Sequence, residues 1–381
     1  MSSDNPRLCF ISEWLDPNSG VLWRYQLFFF KNTNEVEMVD IKNRKTFLKK
    51  TRIVELKLQQ LFVGATVTIY SRLLKITDYG DEFTRSQIAP QSESTLAMVK
   101  PDAYAHLGKI LNAVSDSRLR VNKLRVCELT RAQAEAFYAV HAGKPFFDKL
   151  VDFMSSGRVA AMELVGQDAI ARWRALIGPT DSNRARAEAP NTIRAHFGID
   201  GSYNAVHGSD APDTAAEELS FFFSNPLLGK CDRGGAGTTL GLIKPHSVAA
   251  GMAGLVLDVV ADSFDIVALR QVQLDKASAE EFLEVYKGVL PGGDLNAAID
   301  ELTSGPCIAF EVAARGGGAP VEPFRELCGP SDPEPARALR PKSLRAQFGL
   351  TKVRNAVHCT DLAGDTRIEV EYFFDLLLSQ Q

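Results

Sequence analysis

Asn204-Ala-Val-His207-Gly-Ser-Asp210 returns 151 positions later as Asn355-Ala-Val-His358-Cys-Thr-Asp361. The surroundings of the two copies keep step. An arginine precedes each histidine by thirteen residues (Arg194, Arg345), another stands twenty residues further back (Arg174, Arg325), and a lysine-proline pair opens each unit (Lys100-Pro101, Lys244-Pro245). Self-similarity at so long a period means two duplicated domains, not a solenoid of short repeats. Basic residues co-spaced around a single histidine make a cationic cradle for a polyphosphate with a nucleophile at its centre.

The 381 residues, 45% apolar and 24% charged, suffice for two or three ordinary globular domains and exclude a disordered chain. A net charge of −4 and a pI near 6.0 argue against general nucleic-acid binding, which needs cationic surface over a long contact. The six cysteines (Cys9, Cys127, Cys231, Cys307, Cys328, Cys359) show no C-x-x-C spacing and read as neither a zinc site nor a redox pair. Reduced thiols in the cytosol are the simplest reading. The Met-Ser-Ser-Asp start is unlike a secretory signal and no apolar run reaches the length of a membrane span, so a soluble, intracellular protein with no membrane partner is expected.

Residues 1–91 read as a small β domain. Val21–Phe30, Glu35–Asp40 and Thr66–Tyr70 are rich in β-branched and aromatic residues, with turn signals at Pro17-Asn18-Ser19-Gly20 and Asn32-Thr33-Asn34, and no helical period stands out before about residue 100. Seven basic residues (Lys42, Arg44, Lys45, Lys49, Lys50, Arg52, Lys57) crowd one acid, Glu55. They read either as a solvated strand face or as a contact for an acidic partner.

Pro90–Ser94 is a polar linker, after which helices and strands alternate in a mixed α/β plan. Strands are expected at Thr95–Val99, Val121–Leu129 and Val159–Val165, and helices at Ala105–Ser115, Phe146–Met154 and Gln167–Leu176. Thr130 and Gln133 form a capping box for a helix through Tyr138, and Asp210 with Pro212 opens a last helix to Phe223. Gly229–Gly237 and Gly316-Gly317-Gly318 lack the Lys-Ser/Thr of a phosphate loop and read as linker and turn. The second unit repeats the plan, with strands at Leu240–Ile243 and Cys307–Val312 and a helix near Ala277–Val285.

Lys100-Pro101-Asp102, Thr192-Ile193-Arg194, the His207 stretch and Glu218 together resemble the signature of nucleoside diphosphate kinases, which pass a γ-phosphate between nucleotides. The resemblance covers roughly residues 94–378 as two repeats, 94–228 and 238–378. A small β domain followed by two repeats is similar to the ciliary two-repeat branch of that family. The resemblance implies two tandem ferredoxin-like α/β sandwiches packed as a pseudo-dimer, in contrast to the hexamers of single-repeat relatives. It also implies a pleckstrin-homology-like N-terminal domain, the module that docks axonemal proteins on tubulin, and so a place in the cytoskeleton of a cilium or flagellum.

On the same resemblance His207 is the nucleophile, with Glu218 accepting from its other ring nitrogen and Ser209 buttressing that carboxylate. Lys100, Arg174, Thr180, Arg194 and Asn204 match phosphate and ribose ligands. Guanidinium forks and an ammonium suit phosphate oxygens. Tyr138 falls where the family places a phenol near the lysine, and Phe146 where it places a stacking aromatic. Stacking without base-edge hydrogen bonds implies a broad range of ATP-like triphosphates and diphosphates. Mg2+ is expected to arrive with the nucleotide and not in a protein cage. Asn183–Glu188 reads as an insertion before Arg194.

The second repeat keeps Lys244, Arg325, Arg345, Asn355, His358 and Glu369, with Ser331 and Thr360 as conservative replacements. Aligning Phe137 with Phe282 puts Leu283 at the place of Tyr138 and Pro291-Gly292-Gly293 at that of the Phe146-Phe147 pair. His246 replaces Asp102 and Cys359 replaces Gly208. A phosphate site without its base clamp is expected to bind nucleotide weakly or not at all. Two functions follow: a kinase acting through phospho-His207, and an architectural axonemal protein with residual or no catalysis.

Overall fold

The computed structural model describes residues 7–16, 19–54, 56–89, 92–224, 228, 237–289 and 291–377. The turn signal at Pro17-Asn18, the linker residues Pro90-Gln91 and nearly all of the glycine-rich 229–237 lie outside them. The chain divides into two compact units, residues 1–92 with 273–307, and residues 93–272 with 308–379.

In the first unit six strands form one antiparallel sheet: β1 (Arg7–Leu15), β2 (Leu22–Phe30), β3 (Glu35–Asp40), β4 (Lys45–Arg52), β5 (Thr66–Ile69) and β6 (Arg72–Tyr79), in the order β4-β3-β2-β1-β6-β5. Alternation decides the faces. Tyr25, Leu27 and Phe29 of β2 and Val36 and Met38 of β3 turn inward, each at most 2% exposed. The edge strand β4 is the least buried of the six, and all seven basic residues from Lys42 to Lys57 are exposed. Helix α1 (Glu82–Ile88) departs from the expectation of no helix before residue 100. Asp81 caps it by accepting from the Thr84 N–H at 2.7 Å, but only Thr84 and Ile88 are buried, too few positions to print a helical period. Helices α11 (Lys276–Phe282) and α12 (Gly292–Thr303) belong to this unit, and Gln273 Nε2 donates to Thr68 Oγ1 at 2.9 Å.

The second unit is built on β7 (Glu93–Val99), β8 (Arg120–Glu128), β9 (Arg158–Gly166), β10 (Val206–Gly208), β11 (Thr238–Ile243), β12 (Phe264–Gln273), β13 (Pro306–Ala314) and β14 (Val357–Cys359). Their order is β10-β7-β9-β8-β12-β13-β11-β14. Each half reads fourth-first-third-second in its own strands, the ferredoxin-like order, and the halves join second strand to second strand, where Arg125 faces Arg270. Beside the sheet, α2 (Leu107–Asp116) packs on α10 (Ala253–Ala261) at a glycine crossing. A Cβ built on Gly108 would lie 2.6 Å from the backbone of both Gly254 and Asp258. Only glycine permits that approach. The expected pairing of the repeats is thus one continuous sheet and one helix crossing over a shared core that includes Leu107, Ile110, Leu257, Val260 and Leu269.

The remaining helices of the first repeat are α3 (Arg131–Phe137), α4 (Phe147–Met154), α5 (Ala169–Ile177), α6 (Ser182–Glu188), α7 (Ile193–Phe197) and α8 (Pro212–Phe223). The Thr130–Gln133 capping box is formed. Ala211, not Asp210, is the N-cap of α8; Asp210 instead accepts from Thr214 Oγ1 at 2.7 Å, inside the first turn. The stretch read as an insertion, 183–188, is most of α6, and α14 (Pro333–Leu339) is its counterpart in the second repeat, so both repeats share it. The second repeat continues with α9 (Pro245–Ala249), α13 (Val321–Cys328), α15 (Leu344–Phe348) and α16 (Thr366–Glu371). Gly316, Gly317 and Gly318 all have positive φ and form the expected turn. No helix among the described residues is long and apolar enough to cross a membrane.

Candidate functional site

His207 sits in the three-residue strand β10, and the chain feeds it in through a strained residue. Ala205 has φ of 66°, in the left-handed region that costs a non-glycine residue about 1–2 kcal/mol. Two bonds hold it there: its N–H donates to Asp102 Oδ2 at 3.0 Å and its carbonyl accepts from the Lys100 N–H at 2.9 Å. The second repeat repeats the device. Ala356 has φ of 72°, its carbonyl accepts from the Lys244 N–H at 2.9 Å, and its N–H donates to His246 Nε2 at 3.3 Å. His246 therefore does as a neutral acceptor what Asp102 does as a carboxylate.

The imidazole is fixed from one side. His207 Nε2 lies 2.8 Å from Glu218 Oε1, and Ser209 Oγ donates to Glu218 Oε2 at 2.6 Å. A carboxylate only accepts, so Nε2 carries the proton and the lone pair of the neutral ring stands on Nδ1. Ser209 Oγ in turn accepts from the Leu96 N–H at 3.2 Å, which ties the pair to the central strand β7. Trp173 Nε1 donates to the His207 carbonyl at 3.1 Å, and the Phe137 ring meets the imidazole edge-on with centroids 5.6 Å apart.

Cations crowd one end. Lys100, 6% exposed, donates from Nζ to Asn204 Oδ1 at 2.7 Å. Burial, reinforced by the Arg194 charge, pulls its pKa down to about 8. Burial and the nearby Arg174 lower that of Arg194 to about 10. Crowded cations held in a dry pocket favour an incoming anion. Arg194 spends Nη1 on the Gly178 carbonyl (2.8 Å) and Nη2 on the Val206 carbonyl (2.9 Å), while Nε stays buried without a partner. Arg174 and Thr180 are exposed, and the Thr180 carbonyl accepts from Asn204 Nδ2 at 3.0 Å.

Tyr138 is 5% exposed, its hydroxyl finds no partner, and burial followed by the Glu218 charge pushes its pKa up. Phe146, 46% exposed, lies at the rim as the N-cap of α4. Between them stands His141, stacked on Tyr138 at 6.2 Å and edge-on to Phe146 at 5.6 Å. Sequence reading passed over His141 and Trp173 and used Phe137 only to align the repeats; His141 had a signal, three positions after Tyr138 on one helical face.

The second repeat keeps the core of this arrangement. His358 Nε2 lies 3.2 Å from Glu369 Oε2, and Thr360 Oγ1 donates to the same oxygen at 2.7 Å. Burial opposes a charge on His358, but the Glu369 carboxylate outweighs it and the pKa is raised. Lys244 donates to the Val353 carbonyl at 2.9 Å and Asn355 to the Ser331 carbonyl at 2.8 Å. Arg345 grips the Gly329 carbonyl at 2.7 Å and the Val357 carbonyl at 3.2 Å, as Arg194 grips its own pair. Arg325 pairs with Glu322 at 3.3 Å. Pro291 caps α12 as Phe146 caps α4, so the position of the stacking ring is filled without an aromatic.

The nucleoside diphosphate kinase family model matches residues 93–227 and 237–377. Nucleoside diphosphate kinase homolog 7 of Rattus norvegicus is 46% identical over 98% of this chain and 94% of its own length. The nucleoside diphosphate kinase of Aquifex aeolicus is 50% identical over 134 residues, 35% of this chain and 94% of that protein. A crystal form of the Aquifex aeolicus enzyme covers 35% of this chain and 96% of its own, with 49% identity and a TM-score of 0.35. By sequence, by repeat and by strand order, the chain belongs to the nucleoside diphosphate kinase family.

Proposed function

We propose that the first repeat transfers the γ-phosphate of a nucleoside triphosphate to a nucleoside diphosphate in two half-reactions through a phosphohistidine on Nδ1 of His207. The observation that carries this reading is the Glu218 bond to Nε2, which leaves Nδ1 as the nucleophilic nitrogen. Nδ1 attacks the γ-phosphorus, the bond to the bridging oxygen breaks, and the diphosphate leaves. A second diphosphate then takes the phosphoryl group by the reverse path. Positive charge developing on the ring is met by Glu218, and Ser209 holds that carboxylate in line.

Lys100, Arg174 and Arg194 supply the cationic field for the phosphates, with Thr180 and Asn204 at the same end. Tyr138 and Phe146 supply the buried hydroxyl and the exposed ring that a sugar and a base need. The lining fits a metal that arrives on the nucleotide. The Glu218 carboxylate is committed to His207 and Ser209. Mg2+ bound to the phosphates neutralises their charge. The second repeat, with its dyad at 3.2 Å and no aromatic at Pro291, is a weak or silent nucleotide site. His207→Ala is the test: phosphotransfer unchanged in that variant would refute the reading.

The exposed basic strand β4 supports a second reading, compatible with the first. The N-terminal β region docks the protein on the acidic surface of ciliary microtubules, and the repeats serve there as architecture. Co-sedimentation of the full chain with microtubules, lost on reversing the charge of Lys45 and Lys49, is the expected outcome. Sedimentation indifferent to that reversal would remove the reading.

A further inference from the structure

Three replacements between the repeats fall on one spot beneath the histidine strand. In the first repeat Gly208 lies under Trp173. A Cβ built there would stand 2.4 Å from Trp173 Nε1 and 3.4 Å from Ile177 Cδ1. The positions 151 residues on are Cys359, Phe324 and Cys328. The smaller ring of Phe324 makes room for a side chain at 359, and the cysteine at 328 meets it. The two buried thiols are close enough to perturb each other's ionisation, and Arg345 Nη2 lies 3.6 Å from the Cys359 sulfur. Both cysteines are buried, at 0% and 2% exposure, one at the end of α13 and the other at the end of β14. Spacing in the sequence gave no hint of a redox pair, since 31 residues separate them.

We propose that Cys328 and Cys359 form a reversible disulfide in response to a small hydroperoxide, a modification site next to the second repeat's histidine. Cys359 is the attacking thiol. The Cys328 hydrogen bond, with Arg345 and His358 adding positive charge against burial and the Asp361 carboxylate, lowers its pKa to about 6. Cys328, buried and donating, is held well above the ordinary range and is the resolving thiol. In the first step the Cys359 thiolate attacks one oxygen of hydrogen peroxide, the O–O bond breaks, and a sulfenic acid and hydroxide result. In the second the Cys328 thiol gives its proton to that hydroxide, attacks the Cys359 sulfur, and expels a second hydroxide, which takes up the proton lost by Cys359. Two thiols and one peroxide become one disulfide and two waters.

Access is the remaining requirement. Peroxide is small and uncharged, and β14 is an edge strand of only three residues, the kind of element that opens locally at low cost. Oxidation removes the charge on the sulfur that lies 3.6 Å from Arg345 Nη2, and with it a negative charge that helps to raise the His358 pKa. The pair does not depend on whether the second repeat turns over.

The test uses the intact protein, treated with hydrogen peroxide, then denatured, alkylated and mapped by peptide mass. We expect a linked peptide joining Cys328 to Cys359 that dithiothreitol separates. Cys328→Ser, which keeps a donor beside Cys359 but carries no sulfur, stops the linkage and leaves Cys359 as a sulfenic acid that dimedone traps. Recovery of both residues as alkylated cysteines in the wild type, at a peroxide dose that oxidises the protein's methionines, would overturn the proposal. So would linkage of either to a different cysteine.

Discussion

Glu218 Oε1 stands 2.8 Å from His207 Nε2, and the same relation holds at 3.2 Å between Glu369 and His358. One carboxylate eleven residues downstream thus holds Nε2 of each histidine, and in the first repeat this leaves the lone pair of the neutral His207 ring on Nδ1.

Ser209 holds Glu218 through a charge-assisted bond of 2.6 Å. Ser209→Ala removes it and leaves the Leu96 N–H without its partner. A hydrogen bond to a charged group contributes about 1.5–3 kcal/mol, so kcat should fall roughly tenfold to a hundredfold. Steady-state assay at saturating nucleotide measures this; an unchanged kcat would contradict the buttressing role.

Lys100 has its pKa depressed to about 8 by burial and by Arg194. The unfolded chain keeps the proton up to 10.5, so between pH 8 and 10.5 it binds more protons than the folded one. This group's contribution to stability therefore rises across that window, and below it the buried charge is a cost. For binding the direction is opposite. Nucleotide capture should weaken as pH climbs past about 8, seen as a rising KM with kcat at saturation nearly constant, because bound phosphate restores the charge. A KM flat to pH 9.5 would contradict it.

Tyr138 buries a hydroxyl that has no partner within the protein. Tyr138→Phe should leave the denaturation midpoint unchanged or slightly raised, within about 1 kcal/mol. If the hydroxyl is aimed at nucleotide, KM should rise several-fold in the same variant. Loss of stability without a change in KM would mark it as a core residue only.

Gly108 touches the backbone of α10. Gly108→Ala forces the two helices apart and should cost about 1–3 kcal/mol, read as a lower urea midpoint. Full retention of stability would mean that the crossing is looser than the 2.6 Å approach indicates.

Much of this was legible because the chemistry is local in the chain. His207, Ser209 and Glu218 lie within twelve residues, and Pro212 marks the start of the helix that carries Glu218, whereas the strand that carries His207 is three residues long and was not read from the sequence. What escaped was long-range or short. Trp173 reaches the His207 carbonyl from 34 positions away. The sheet junction at Arg125 and Arg270 depends on two edges that no local pattern links. The short helix α1 buries only Thr84 and Ile88, and Asp210 was read as a cap where Ala211 takes that place. The paired cysteines had no spacing signature at all.

The central claim is that His207 is the phosphate carrier. The most direct measurement is the phosphate incorporated per chain from γ-labelled ATP, scored as base-stable and acid-labile label, in the wild type and in His207→Ala and His358→Ala. The account predicts that the label disappears with His207 and survives substitution of His358. Label undiminished in His207→Ala would contradict it.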